Sequence, residues 1–536
     1  MSRSKTRSRP GSAGRRLFGA VALLLGVAAL LSACASPGRS ASEPSGPSGV
    51  FYEVFVRSFA DSDGDGIGDL NGLTDRLDYV QSLGADGIWL MPIQPSPSYH
   101  GYDVTDDYGI NPDYGTMEDF SRLLAEAHKR GIRVIMDLVV NHTSSEHPWF
   151  KEAAADADSP RRDWYVWSSA RGGRTTADGA TGAPPWHALN GDDYLGIFRE
   201  GMPDLNFDHP EVRRAMKEIG QYWLRQGADG FRLDAAKHVY GDFNSTINSP
   251  AVKRKNQTWW QEFRRALDEA NPQAYLVGEV WDGPAVIGPY LNKAFDSAFN
   301  FDLAAQLLGA ADAERAADIG FTLSRIHEFY AKSAEGPFTD ALFLSNHDQN
   351  RVMSVLGGNL DHAKTAAAML MTLPGNAFVY YGEELGMRGM KPDERLREPF
   401  PWTREAGAPG ETTWEASEYR GDGSVSVEAE EEADDSLLSR YRLLISWRKQ
   451  DAALREGTIG SYESGNPAVM AYTRAAGEAR RLVLHNLSGA AQTVALQANE
   501  ATAASYAAIA RSTDASAALR HGTVELPPYA TVILQP

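Results

Sequence analysis

TMEDFSRLLAEAHKRGIRVIMDLVVN, residues 116–141, holds the repeating unit of this chain in one stretch. Its first half is an amphipathic helix, with Phe120, Leu123, Leu124 and Ala127 falling on one face at three- and four-residue spacing. Thr116 followed by Asp119 makes an N-terminal cap, and Gly131 supplies a C-terminal stop. The second half, RVIMDLVVN (133–141), is almost continuously apolar, the pattern of a parallel strand buried on both faces. The same alternation runs from residue 50 onward. Its other β-rich runs are VFYEVFVR (50–57), GIWLMP (87–92), GFRLDA (230–235) and AYLVGEV (274–280), then FDSAFNF (295–301), ALFLSNHD (341–348) and NAFVYYGEE (376–384). The run at 295–301 is the weakest of the set. Eight strand–helix units of this kind predict an α/β fold, a (β/α)8 TIM barrel.

Two regions break the alternation. About 88 residues (142–229) separate the third and fourth strand runs, far more than a simple crossover needs. This insert is rich in Gly and Trp and predicts an irregular subdomain over 142–209 at the C-terminal rim. The barrel is thereby divided into 49–141 and 210–455. Trp164, Trp167 and Trp186 of the insert are expected to form its small core, with at most one of them reaching substrate. After the last helix (436–449) the period changes. VMAYTR, RLVLHNLS, TVALQ and TVELPPYATVIL predict a C-terminal antiparallel β-sandwich over 456–536. The acidic run 428–435 precedes that last helix and suits its positive end.

The chain begins with a basic segment (1–16), then the 17-residue apolar run LFGAVALLLGVAALLSA (17–33), then Cys34 and a Pro/Gly/Ser-rich stretch (35–48). Basic, apolar, then small is the layout of an export signal, and the run is barely long enough for a membrane anchor. LSAC (31–34) resembles the bacterial lipobox, in which the Cys becomes the lipid-bearing N-terminus. The expectation is a signal peptide (1–33), a lipidated Cys34 with a flexible tether (34–48), and a location on the outer face of a bacterial cell membrane. Cys34 is the only cysteine, so no internal disulfide is available. Lys+Arg 52 against Asp+Glu 71 gives −19, and setting aside the six basic residues of the first 34 leaves −25. Such a surface repels nucleic acid and anionic lipid, so membrane contact is expected only through the lipid. With 43% hydrophobic and 23% charged residues, wholesale disorder is excluded, and a folded monomer is expected.

Chemistry in such a barrel sits where the strands end. The third strand run reaches Asp137 and then Asn141-His142, the fourth Arg232 and Asp234, the fifth Glu279, and the seventh Asn346-His347-Asp348. Carboxylates from three strands would meet at one opening, and a like-charged cluster is costly to bury without a reason. Glycoside hydrolysis supplies one, because it needs two carboxyl groups flanking the scissile bond, about 5–5.5 Å apart when the outcome is retention. Asp234 and Glu279 on adjacent strands fit that requirement. Arg232, two residues before Asp234, points to the same side and would keep it ionised as a nucleophile. Glu279 would have to carry a proton near neutral pH.

DLVVNH (137–142), GFRLDAAKH (230–238), GEVWD (278–282) and FLSNHDQNR (343–351), with GYDVTDDY (101–108) and MPDLN (202–206), make the chain resemble the α-amylase family of glycoside hydrolases over nearly all of 50–536. The resemblance implies that Asp234 is the nucleophile, Glu279 the general acid/base, and Asp348 the carboxylate gripping the sugar's hydroxyls. It also implies that Tyr102 stacks under that sugar, with Asp103, His142, Arg232 and His347 around it. Lys237 and His238 would line the leaving-group side. Ala235 and the Lys237-His238 pair resemble α-1,4-specific members, whereas MPDLN resembles the intermediate amylase/oligo-1,6-glucosidase subgroup and REPFPW (397–402) the oligoglucosidase side. The implied substrate is an α-1,4-glucan or maltooligosaccharide. The alternatives are an exo-acting glucosidase, a glucanotransferase, or a non-catalytic oligosaccharide-binding lipoprotein.

DSDGDGIGD (61–69) places Asp61, Asp63, Asp65 and Asp69 at loop positions 1, 3, 5 and 9, with the Ile67 carbonyl at position 7. Hard oxygen donors at this spacing suit Ca2+. Position 12 is Gly72 rather than Glu, so no EF-hand is implied. Relatives in the family carry this loop after the first strand, and the ion is expected to be structural.

Overall fold

The computed structural model describes residues 49–175, 177–241, 249–496 and 506–536. The leader, Cys34 and the tether lie outside the described residues. In chain order the strands are β1 (Val50–Val54), β2 (Gly87–Leu90), β3 (Arg133–Leu138), β4 (Trp186–Leu189), β5 (Asp192–Leu195), β6 (Gly230–Leu233), β7 (Tyr275–Gly278), β8 (Ser297–Ala298), β9 (Ala341–Leu342) and β10 (Asn376–Tyr380). All but the β4–β5 hairpin form one eight-stranded parallel sheet in the order β8-β7-β6-β3-β2-β1-β10-β9. A parallel bridge from Phe299 to Ala341 closes it into a barrel. The eight strand runs read from the sequence are these eight strands, and the sixth is indeed short. β8 has only two residues, and the chain bends away at once into the helix Phe301–Asp312.

Parallel strands point alternate side chains into the barrel and out toward the helices. Inward-facing Phe51, Trp89, Ile135, Tyr275, Val277, Phe299, Phe343 and Phe378 fill the lower interior. Phe51 stacks on Phe378 at 5.0 Å and on Tyr275 at 5.3 Å. Each such fully buried ring contributes roughly 2–3 kcal/mol of burial free energy. Tyr52, Ile88 and Leu90 face outward into the helix layer instead. Gly230 lets β6 and β7 meet: a Cβ there would lie 2.0 Å from the Tyr275 carbonyl oxygen, so no larger residue fits.

Two residues further along the same inward stripe, the chemistry changes. Glu53 follows Phe51, Asp137 follows Ile135, and Glu279 follows Val277, so a charged layer sits on the aromatic plug. The helix Met117–Lys129 carries the expected capping box between Thr116 and Asp119, and Phe120, Leu123, Leu124 and Ala127 are its buried face.

The C-terminal region is antiparallel throughout. One sheet has five strands: β11 (Thr458–Ser461), β12 (Val469–Ala476), β13 (Ala479–Asn486), β15 (Ala508–Ser512) and β18 (Thr531–Gln535). A second has three: β14 (Gln492–Ala495), β16 (Ala518–Arg520) and β17 (Thr523–Leu526). Two fully buried arginines brace the end of the helix Leu360–Thr372, and one of them, Arg474 on β12, ties this region to the barrel. Arg448 donates to the carbonyls of Met371 (3.0 Å) and Leu373 (2.6 Å), and Arg474 to those of Thr372, Leu454 and Gly457. The bonds to Met371, Thr372 and Leu373 satisfy carbonyls that the end of the helix Leu360–Thr372 leaves without intrahelical partners. Among the described residues, no helix is long and apolar enough to cross a membrane.

Candidate active site

A cavity of about 190 Å³ opens at the C-terminal end of the barrel, lined by Tyr102, Asp234, Ala235, Glu279, Asp348 and Arg397 among others. Arg232, from β6, lies directly beneath it and is 1% exposed. Its Nη1 donates to Asp234 Oδ1 at 2.7 Å and to Asp137 Oδ1 at 2.8 Å, and its Nη2 pairs with Glu279 Oε2 at 2.7 Å. One planar guanidinium therefore binds both facing carboxylates at its two ends. The sequence assigned Arg232 to Asp234 alone. Its hold on Glu279 comes from the neighbouring strand, which spacing along the chain does not reveal.

Burial pushes the Asp234 carboxyl up to about 6, against the pull of Arg232. Glu279 is also raised, again by burial first, with Arg232 opposing and Asp234 reinforcing. Glu279 Oε2 also accepts the Ala235 backbone N–H at 3.0 Å. That N–H reaches it because Ala235 adopts a left-handed backbone, φ +46°, immediately after Asp234. A non-glycine residue held there stores strain beside the reacting groups.

Asp348 is the opposite case. Burial favours its neutral form, but His347 and Arg397 outweigh it and hold the carboxyl well below the usual range. His347 Nε2 lies 3.1 Å from one of its oxygens, and Arg397 Nη2 donates to the other at 3.0 Å. His347 is fully buried, which disfavours its charge, yet Asp348 and Glu53 raise its pKa to about 10. As an imidazolium it donates from Nδ1 to Glu53 at 2.5 Å and from Nε2 to the Tyr102 hydroxyl at 2.7 Å. That hydroxyl donates on to Asp137 at 3.0 Å. Tyr102 stacks on His347 at 5.5 Å, with its ring fixed at the cavity wall.

The other expected residues divide. His142 lines the cavity and donates from Nε2 to the Tyr102 carbonyl at 3.1 Å; burial lowers its pKa to about 4, so it is neutral. Asp103 points the other way from Tyr102, and its carboxylate takes the hydroxyls of Ser96 (2.6 Å) and Ser98. Lys237 sits on the rim, bonded to the Trp281 carbonyl at 2.5 Å and to Asp282 at 3.2 Å. His238 is buried, with its ring 6.2 Å from Phe198. Asp103, Lys237 and His238 do not line the cavity. Nor do the three tryptophans of the insert. Trp167 and Trp186 are buried, and Trp164 packs on Trp149 at 4.8 Å under Arg161.

Sequence reasoning missed Phe198, Arg199 and Met202 of the insert, and Asp393 and Arg397 beyond β10, all of which line the cavity. REPFPW drew attention to 397–402 for specificity, without a role for Arg397. Glu53 had a readable signal, a lone carboxylate inside an otherwise apolar strand.

In the Asp-rich loop, oxygens of Asp61, Asp63 and Asp65 lie within 4.8 Å of one another. Three hard carboxylate donors at that separation fit a calcium ion. Asp69 is not part of this cluster. Both its oxygens accept bonds from Ser62, one also takes the Gly72 N–H, and it serves as N-cap of the helix Leu70–Asp75. The Ile67 N–H donates to Asp65 at 2.7 Å, which places Ile67 at the edge of the same loop.

Comparison with known proteins gives a consistent set. The family described as "Alpha amylase, catalytic domain" matches residues 53–457, and "Alpha-amylase SusG C-terminal domain" matches 469–533. "Alpha-amylase 3" of Dictyoglomus thermophilum is 43% identical over 447 residues, 83% of this chain and 86% of that protein. A "4-alpha-glucanotransferase" of Thermotoga neapolitana is 34% identical over 82% of this chain and 96% of that protein. The crystal structure of an alpha-amylase from H. orenii superposes with a TM-score of 0.83 at 42% identity, covering 91% of this chain and 99% of that one.

Proposed function

The chain belongs to the α-amylase family of glycoside hydrolases, and on that premise we propose that it cleaves α-1,4-glucosidic bonds of starch or maltooligosaccharides with retention, through a covalent glycosyl-enzyme. The observation that carries the reading is the shared guanidinium: Asp234 and Glu279 both bind Arg232, at 2.7 Å each, at the floor of one cavity. With a pKa of about 6, Asp234 is mostly ionised at pH 7 and can attack the anomeric carbon. Glu279, raised by burial, keeps its proton for the glycosidic oxygen and, once deprotonated, accepts one from the incoming water. Its bond from the Ala235 N–H fixes it toward that oxygen.

Asp348 stays anionic and accepts hydroxyls of the sugar being distorted, with Arg397 and His347 holding it in place. Tyr102 stacks under the ring, and His142 hydrogen-bonds at its edge. Arg232 and His347 act from below, by orienting and charging the groups that touch the sugar. Lys237 and His238 act on the leaving-group side through the backbone they anchor. Asp61, Asp63 and Asp65 would hold a Ca2+, which would neutralise the loop after β1 and take no part in the reaction. Anchoring through a lipid on Cys34, on the outer face of a bacterial membrane, and a monomeric state complete the reading.

The 34% identity to a glucanotransferase supports a second outcome of the same first half-reaction, in which a sugar hydroxyl replaces water as acceptor. Reducing-sugar release from soluble starch tests the proposal. Wild type releases sugar steadily while Glu279→Gln falls to background. Equal background release from both would favour a non-catalytic binding protein, and disproportionation of maltotriose without net release would favour transfer.

A further inference from the structure

The charged groups lining the catalytic cavity are nearly all engaged within the protein. Asp234 and Glu279 share Arg232, Asp348 holds Arg397, and Asp393 pairs with Lys391 and Arg397. Arg199 is the exception. It lines the same cavity and is exposed, and among the described residues its side chain makes no hydrogen bond or ion pair. A free arginine on an open surface needs no explanation, but this one is mounted on a fixed turn.

Ile197, two residues earlier, is 1% exposed in the core of the insert, and its carbonyl accepts the Ala180 N–H at 2.7 Å. The Arg199 carbonyl accepts the Met202 N–H at 3.0 Å, and the Gly201 carbonyl accepts the Ser145 N–H at 2.8 Å. Phe198 packs its ring 5.3 Å from His142. The turn is therefore pinned on both sides of Arg199, to Ala180 and Ser145 of the insert. Its backbone is fixed at the cavity while its guanidinium keeps its donors unspent.

The attacked glucose is held at the buried floor by Asp234, Glu279 and Asp348, whereas Arg199 is exposed at the same cavity, where the next glucose units of a longer chain would lie. We infer that Arg199 is a substrate-binding residue that hydrogen-bonds the hydroxyls of a glucose unit beyond the attacked one. A planar five-donor fork suits a pair of vicinal hydroxyls, whereas a lysine brings a rotatable ammonium without that fixed geometry. The enzyme would then favour longer glucans over substrates that supply only the attacked unit. The inference rests on the glucan-hydrolase reading above.

The test compares kcat/KM for maltoheptaose with that for α-glucosyl fluoride, which fills only the site of the attacked sugar. The variants are Arg199→Ala, Arg199→Met and Arg199→Lys. Loss of a hydrogen-bonded contact predicts that the maltoheptaose/fluoride ratio falls about tenfold in Arg199→Ala and Arg199→Met, mostly through KM, and partly recovers in Arg199→Lys. A ratio that stays at the wild-type value, or equal losses on both substrates, would overturn the assignment. A wild type inactive on both removes the hydrolase reading itself, and the inference with it.

Discussion

Arg232→Ala is the sharpest perturbation available, because one side chain serves three carboxylates. Removing it leaves Asp137, Asp234 and Glu279 buried without their common cation. Breaking a buried ion pair costs roughly 3–5 kcal/mol if the charge remains, but a carboxylate can escape most of that by taking up a proton. Protonation wins, since burial already drives Asp234 to about 6 with the arginine present. An opposite charge at this distance moves a carboxyl pKa by about 1–3 units. A rise of about 2 units, to roughly 8, would cut the ionised fraction of Asp234 at pH 7 from about nine-tenths to about one-tenth. Activity at pH 7 therefore falls about tenfold from ionisation alone, beyond any loss of orientation. The assay is the pH dependence of kcat/KM on maltoheptaose, with circular dichroism confirming the fold. The acid limb, near pH 6 in wild type, should move up by at least one unit in Arg232→Ala and by less in Arg232→Lys. A folded Arg232→Ala with its acid limb unmoved would refute the electrostatic reasoning.

Three further outcomes follow from other parts of the molecule. Arg397→Ala removes the 3.0 Å bond that fixes Asp348, so kcat/KM on maltoheptaose should fall by about 10²-fold in a variant that circular dichroism shows to be folded. Glu383, buried and bonded by Tyr441 at 2.7 Å beside Glu384, has its pKa pushed up to about 8, by burial first. The folded state then binds a proton that the unfolded state releases near its ordinary value, so this group's contribution is full below that value and is lost as pH rises toward 8. Glu383→Gln should flatten the decline of thermal stability between pH 5 and pH 8, measured by calorimetry. EGTA should lower the melting temperature of wild type and leave Asp63→Ala unaffected, and calcium should restore only the former.

The barrel was legible because parallel strands buried on both faces leave apolar runs that helices with alternating polarity cannot imitate. β8 was the hardest to read because two residues of ladder leave almost no pattern. Asp234 and Glu279 were legible because each directly follows a strand, and period-two alternation then forces it inward, whereas Asp348 lies six residues beyond the end of β9 and was placed by the resemblance of its motif. What the sequence could not convey is which way neighbours turn once the strand has ended. Tyr102 and Asp103 are adjacent, yet one faces the cavity and the other faces Ser96 and Ser98. Lys237 and His238 follow the left-handed Ala235, which redirects the chain and carries them to the rim and the interior. Arg199 and Arg397 come from the insert and from beyond β10, where no periodicity ties a residue to the cavity. Asp69 fits the spacing of a cation loop, but its oxygens accept from Ser62 and from the Gly72 N–H of the helix starting at Leu70.

The central claim is that Asp234 bonds directly to the sugar while Glu279 handles the proton, so the configuration at the anomeric carbon is inverted twice. Proton NMR of maltoheptaose hydrolysis, recorded within the first minutes before mutarotation, tests this directly. The account predicts that the α-anomer appears first and relaxes toward the equilibrium mixture. Initial appearance of the β-anomer would mean that a water stands between the two carboxyl groups, and the double-displacement account would be wrong.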